Sequence, residues 1–385
     1  MIHSSSKQDL QSMTIEILSI GNEILSGHTI NTNAGVVAQA LLPEGISVGR
    51  VTVLPDDKAL LKQGIEEAME RSSFLITTGG LGPTGDDLTL PILESLYGLA
   101  KQKIVNPLGT APGEFFEGKI PLVALPGVPS QMEVMLPEVL KIIQKYITEK
   151  HYVSSLYLCL MREMEVEPYL RILEKEHPGV TIGICPGRGV LSLYLHADDP
   201  NLFPPVEEKL VKRLYIHLFS RKDKQIAVGL QEWMVANGKT LATGESCTGG
   251  HLAANLTIHP GASDYFLGSI VSYSNTLKES ALEVQAKTLK EHGAASKEVV
   301  IEMAAGVKKL TGADYVMTVS GIAGPTGGTA DKPVGTVWAA IATPEKTYTG
   351  LIPARKNRKT IIDYSVTYLL ANLWRHVAHN IEPFK

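Results

Sequence analysis

Residues 243–250 read TGESCTGG and set two nucleophilic side chains, Ser246 and Cys247, next to each other between Glu245 and a pair of glycines. A serine attacks a carbonyl carbon only when a base takes its proton, and a cysteine only when its thiol pKa is depressed. The one nearby histidine, His251, would lie a helical turn beyond Cys247, so Cys247 reads better as a buried small side chain. For Ser246 the base is sought in VSYSNTLKES (271–280), which offers Tyr273 at a strand end and Lys278 a little further on, with Asn275 as a turn residue between them. A lysine in a desolvated pocket loses enough charge to act as a base, and a tyrosine can relay a proton. Ser246 falls between a strand-like and a helix-like run, so its hydroxyl is expected over a helix N-terminus whose amides stabilise an oxyanion. Taken singly, Lys278 also reads as a solvated helix lysine, Tyr273 as a core aromatic and Glu245 as a structural acceptor.

Glycine-rich turns suggest what is bound. VSGIAGPTGG (319–328) follows another apolar run, and its free amides near Gly321, Ala323 and Gly324, with the Thr326 hydroxyl, suit a phosphate. Glu245, Thr248, Gly249 and Asn275 join these as substrate-binding candidates. In PARKNRKT (353–360), Arg355 and Arg358 precede the last helix, where a guanidinium clamps phosphate or carboxylate, although each alone is an ordinary surface charge.

A second constellation lies nearer the N-terminus. In GGLGPTGDDLT (79–89), Gly79, Gly80, Gly82 and Gly85 let amides approach a phosphate and Thr84 adds a hydroxyl. Asp86 and Asp87 are hard oxygen ligands for a divalent ion, and Glu23, Asp56 and Asp57 come from other strand ends. The plain alternative is a loop with Asp87 as a helix cap. Two further turns, NPLGTAPG (106–113, with Gly109 and Thr110) and LPGVPSQM (125–132), favour a polyanion pocket. Unaided, these features indicate a hydrolase or transferase acting on a small phosphorylated molecule.

Elements of alternating type must hold these residues. At 385 residues the chain exceeds one hydrophobic core, and 44% hydrophobic against 20% charged residues marks a folded α/β protein, not a disordered one. TIEILSIG, ISVGRVTVL, SFLITT and PLVALPG read as strands. Helices are expected from about Ala34, capped by Asn31 or Asn33, over KALLKQGIEEAMERS, and continuously through VPSQMEVMLPEVLKIIQKYI. Such alternation implies a parallel sheet with helices on both faces for residues 1–150. A small α+β unit follows at 151–222, and a second α/β region occupies 223–385. No stretch reaches the ~18 apolar residues of a membrane span, and the first thirteen residues lack a signal peptide's apolar core. With three widely spaced cysteines, the expectation is a cytoplasmic protein. A net charge of -4 supplies no general attraction to nucleic acid, and neither membrane nor nucleic acid is expected as a partner.

GNEILSGHTINTN, TTGGLGPTGDDLT, NPLGTAPG and LPGVPSQM resemble the molybdopterin-binding-like domain of the CinA family of competence- and damage-inducible proteins. ATGESCTGG, GSIVSYSN, VSGIAGPTGG and KPVGTVW resemble its nicotinamide mononucleotide amidase domain, and the middle unit is similar to the KH-type domain between them. The resemblance implies hydrolysis of nicotinamide mononucleotide to nicotinate mononucleotide and ammonia, a step of pyridine nucleotide salvage. Ser246 would be the nucleophile and Tyr273 and Lys278 its activating partners, with the 319–328 loop and Arg358 holding phosphate or assisting at the amide. It also implies an ADP-ribose pyrophosphatase in the first domain, dependent on magnesium, manganese or cobalt held by Asp86 and Asp87, and a homodimer. The competing reading is a non-catalytic nucleotide sensor tied to competence or DNA damage; the middle unit's nearest approach to a nucleic-acid-clamping GXXG loop is CPGRG. Several departures accompany the resemblance. The family carries a few tens more residues between Ala100 and Lys101, and a glutamate where Gln131 stands. It also has glycine-aspartate in place of Lys356 and Asn357, and an arginine in place of Ile362.

Overall fold

IEILSI, FLITT and LVAL are short, mostly apolar and buried at every position, as strands covered on both faces are. They form the middle of the first sheet in the computed structural model, which describes residues 14–385 apart from 83, 86, 148 and 149. The chain divides into two compact units, one comprising the residues up to Val153 with His196–Asn201, the other Ser154–Leu195 and Leu202–Lys385. The boundary expected at 222 therefore falls inside the second unit.

The first unit holds β1 (Ile15–Ile20), β2 (Val48–Leu54), β3 (Phe74–Thr78), β4 (Gln102–Ile104), β5 (Gly113–Phe116) and β6 (Leu122–Leu125) in the order β2-β1-β3-β6-β5-β4. The first four in that order run parallel, whereas β5 and β4 are antiparallel, so the sheet is mixed where a parallel one was expected. Ile17, Ile76 and Val123 face one layer with Val37 and Val139; Leu18, Leu75 and Ala124 face the other with Leu61 and Leu93. This alternation at neighbouring positions is what covers both faces. Asn31 caps helix Thr32–Leu41 and Asp57 caps helix Lys58–Arg71 by accepting from the amides of Ala59 and Leu60. The continuous helix expected over 128–147 is instead two, Pro129–Glu133 and Leu136–Ile143. Pro137 has no amide hydrogen to extend the first helix and its fixed φ suits the opening turn of the second.

In the remainder, β7 (Tyr152–Cys159), β8 (Thr181–Pro186), β9 (Val190–Ala197) and β10 (Leu218–Ser220) form a sheet ordered β10-β7-β9-β8. A five-stranded sheet follows, from β11 (Leu241–Glu245), β12 (Phe266–Val271), β13 (Tyr315–Gly321), β14 (Thr336–Ala342) and β15 (Thr347–Pro353), ordered β12-β11-β13-β14-β15. Its first three strands are parallel, and β14 runs antiparallel to both β13 and β15. Helix Lys297–Thr311 packs Val300, Met303 and Val307 against Ala242 and Val316. Leu230, Leu369 and Leu373, from helices Ile226–Ala236 and Arg358–His379, meet Leu241, Met317 and Ile341 on the opposite face. The register pairs Glu245 with Val271 and with Val319, so three parallel strands end side by side and their following loops converge. Among the described residues no helix is long and apolar enough to cross a membrane.

Candidate active site

β11 ends at Glu245, and the chain turns through residues 246–250 before helix His251–Thr257 begins. Glu245 is fully buried, and its carboxylate accepts from the amides of Gly250 (3.0 Å), Leu252 (3.0 Å) and Ala253 (2.8 Å) and from the hydroxyls of Thr248 (2.7 Å) and Ser269 (3.2 Å). These bonds satisfy the helix's opening amides, which have no partner within the helix. The expectation that this helix N-terminus serves an oxyanion is therefore corrected: a buried carboxylate already occupies it. Glu245 and Thr248 lie beneath the site and shape the turn. The amides available above are those of Cys247 and Thr248, which have no hydrogen-bond acceptor from another residue among the described residues.

Ser246 is held by its own amide, which donates to the Val319 carbonyl at 3.0 Å. Facing it is Lys278, on the first turn of helix Asn275–Leu282, whose start is fixed by Ser274 accepting from the Leu277 amide at 3.1 Å. Lys278 is 1% exposed. Its Nζ lies 2.8 Å from Ser246 Oγ, 2.7 Å from the Ser272 carbonyl and 3.4 Å from the Tyr273 carbonyl. Burial lowers the amine's pKa from the ordinary lysine value, and no carboxylate pairs with it among the described residues to restore the charge. A neutral amine has two N–H groups and one lone pair. In that form the two carbonyls would take the former and the lone pair would be left for the Ser246 hydroxyl to donate to, whereas a charged amine donates to Ser246 Oγ as well. Cys247, by contrast, is 7% exposed and burial pushes its thiol up to about 12, so it stays protonated.

Ser246, Tyr273, Lys278, Gly321, Ala323 and Arg358 all line a cavity of about 340 Å³. Arg358 opens helix Arg358–His379, capped by Asn357 through the Thr360 amide at 2.9 Å. Its guanidinium donates to Tyr273 Oη and to the Gly324 carbonyl, each at 3.0 Å. Gly249, Asn275 and Thr326 are exposed and stand outside the cavity lining. The sequence reading missed Lys332, which lines the same cavity and could be sought as the cation just after the 319–328 glycine turn.

Beside Arg358, Lys356 adopts φ 85°, a left-handed conformation that costs a residue with a Cβ. The resemblance places a glycine there. Lys356→Gly is expected to raise stability by about 0.5–1 kcal/mol, strain relief outweighing the extra unfolded-state entropy. Urea unfolding checks this, and a lowered midpoint would contradict it.

The first unit has its own cavity, of about 580 Å³, at the ends of its parallel strands, lined among others by Glu23, Asp56, Gly80, Gly82, Asp87 and Thr110. Gly80, at φ 69°, turns against the Thr89 hydroxyl so closely that a Cβ would clash. Thr84 and Gly109 are not in the lining. Asp87 is not a helix cap: Leu88 holds that place, and Asp87 accepts from the Thr84 amide at 2.9 Å and from the Thr84 hydroxyl. Partial burial acts to raise its pKa, but these bonds overcome it and hold the carboxyl below the usual aspartate value. Asp86 lies outside the described residues. Asp56 accepts from the Asn22 amide at 2.8 Å, Asp57 caps a helix, and among the described residues no three acidic, histidine or cysteine side chains gather as a metal requires.

Residues 223–377 match the family described as "CinA C-terminal domain", and residues 16–145 that described as "Probable molybdopterin binding domain". The chain is 35% identical to a "Putative competence-damage inducible protein" of Caldanaerobacter subterraneus subsp. tengcongensis, over 94% of this chain and 98% of the relative. It is likewise 35% identical to a "CinA-like protein" of Thermosipho melanesiensis, over 86% and 91% respectively. The crystal structure of the competence damage-inducible protein A from Klebsiella pneumoniae is 37% identical and aligns with TM-score 0.39, covering 40% of this chain and 96% of that one.

Proposed function

The chain belongs to the CinA family, and from that premise we propose that its second unit hydrolyses the carboxamide of nicotinamide mononucleotide to nicotinate mononucleotide and ammonia. The observation that carries this reading is the 2.8 Å approach of the buried Lys278 amine to Ser246 Oγ. In the proposed sequence the amine takes the hydroxyl proton as Ser246 Oγ attacks the carboxamide carbon. The oxyanion forms toward the amides of Cys247 and Thr248. Lys278 then returns the proton to the leaving nitrogen, the C–N bond breaks, and ammonia departs from a seryl ester. Water, deprotonated by the again neutral amine, attacks the ester and releases the carboxylate and the serine. Arg358, fixed through Tyr273 Oη, presents positive charge beside the reacting group.

No step of this sequence uses a metal. The expected result is one ammonia released per nicotinate mononucleotide formed, undiminished by excess chelator. Absence of ammonia, or its loss on chelation, would overturn the reading.

For the first unit the proposal goes as far as its glycine turns: they bind nucleotide phosphates, with ADP-ribose the ligand that the family resemblance implies. Cleavage at a divalent ion, which the resemblance also implies, would draw on Asp86 and Asp87 as its ligands, and Glu23 and Asp56 line the same cavity as Asp87.

A further inference from the structure

We propose that Lys332 makes the second unit selective for a phosphorylated substrate by binding its phosphomonoester, while Arg358 serves the amide end. This rests on the amidase reading and deepens it.

The cavity lining contains three basic side chains, Lys278, Lys332 and Arg358, and no aspartate or glutamate. Two of the three are committed. Lys278 faces Ser246, and Arg358 is held by Tyr273 Oη and the Gly324 carbonyl. Lys332 is not part of that group. Its ammonium donates to the carbonyls of His292 and, at 2.9 Å, Ala295, so it sits on the wall made by Gly293, Ala294 and Ala295. Its backbone is pinned by a tight turn, in which the Lys332 amide donates to Thr329 Oγ1 at 3.1 Å and the Thr329 amide donates to the Lys332 carbonyl at 2.9 Å.

An ammonium has three N–H donors, and two carbonyls leave one for the cavity. Among the described residues Lys332 has no ion-pair partner, although most of the ion-paired lysines and arginines lie on open surface. A fixed, half-buried cation facing a cavity without a carboxylate lacks its counter-ion. The charge it fits is a compact anion carried by the substrate, which a lysine binds as a point charge. With the carboxamide at Ser246, the substrate is an amide bearing a phosphate on the same small molecule. A nucleotide meets that description and a nucleoside does not.

The test compares nicotinamide mononucleotide with nicotinamide riboside as substrates of the full chain, in wild type, Lys332→Met and Lys332→Arg. Removing one charge-assisted contact is expected to raise KM for the nucleotide about 10- to 100-fold with kcat nearly kept, and to lower the nucleotide-over-riboside preference in kcat/KM by the same factor. Inorganic phosphate should compete with the nucleotide in wild type and lose its grip in Lys332→Met. Lys332→Arg should recover most of both effects. Equal losses for the two substrates, a loss confined to kcat, or unchanged phosphate inhibition would overturn the proposal and leave Lys332 a purely structural tie. If wild type hydrolyses neither amide, the amidase reading falls. Calorimetric titration with inorganic phosphate then decides this one: binding lost in Lys332→Met and kept in Lys332→Arg supports it, and no difference refutes it.

Discussion

Ser246→Ala is expected to lower ammonia release from nicotinamide mononucleotide by at least about 10⁴-fold, whereas Cys247→Ser keeps it within about threefold. The two positions are adjacent, so the pair separates chemistry from local damage to the turn. Ser246 Oγ faces an amine at 2.8 Å inside the cavity. The Cys247 thiol is buried, with its pKa pushed up to about 12, and supplies almost no thiolate near neutral pH. Alanine removes the attacking atom while leaving the residue 246 amide free to hold Val319, so KM should change little. Ammonia-coupled kinetics on both variants reads this. Activity lost in Cys247→Ser and kept in Ser246→Ala would transfer the nucleophile to the thiol.

Lys278→Met should cost nearly as much, again at least about 10³- to 10⁴-fold, and adding it to Ser246→Ala should cost nothing further, because a nucleophile and its base act as a unit. Methionine fills the buried space without a lone pair, which limits the structural loss. In the proposed mechanism the active form is the neutral amine. Since burial lowers the Lys278 pKa, kcat/KM should rise with pH through that lowered value and level off before the ordinary lysine value of about 10.4. Stability follows the same direction. Between the lowered folded pKa and the unfolded one, the unfolded chain binds the extra proton, so stability rises with pH across that window and falls as pH drops through the folded value. A kcat/KM flat with pH, or a fully active Lys278→Met, would remove the lysine from the mechanism.

Much of this site was legible by residue type. TGESCTGG supplied the candidate nucleophile, and NTLKES the candidate base 32 residues later. Their partnership needed the register, since pairing of Glu245 with Val271 sets the ends of β11 and β12 together and so brings Ser272, Tyr273 and Lys278 beside Ser246. The central strands were equally legible from their clustered apolar residues, although their burial on both faces appears only in the fold. Other features left no periodic trace. β4 and β5 span three and four residues, too few to show alternation, and it is the reversal of β5 that makes the first sheet mixed. Glu245 stood between substrate binding and a structural role because burial beneath five donors cannot be read from its neighbours. Lys332 reaches the cavity through carbonyls of His292 and Ala295, about forty positions earlier in the chain, a contact that only the folded chain creates.

The central claim is that Lys278 is uncharged while it faces Ser246, and nitrogen NMR of the lysine side chains across a pH titration observes this directly. The Lys278 signal, assigned by its loss in Lys278→Met, is predicted to titrate below all the surface lysines and to carry the neutral amine's shift where the enzyme is most active. A Lys278 signal that titrates together with the surface lysines would contradict the account.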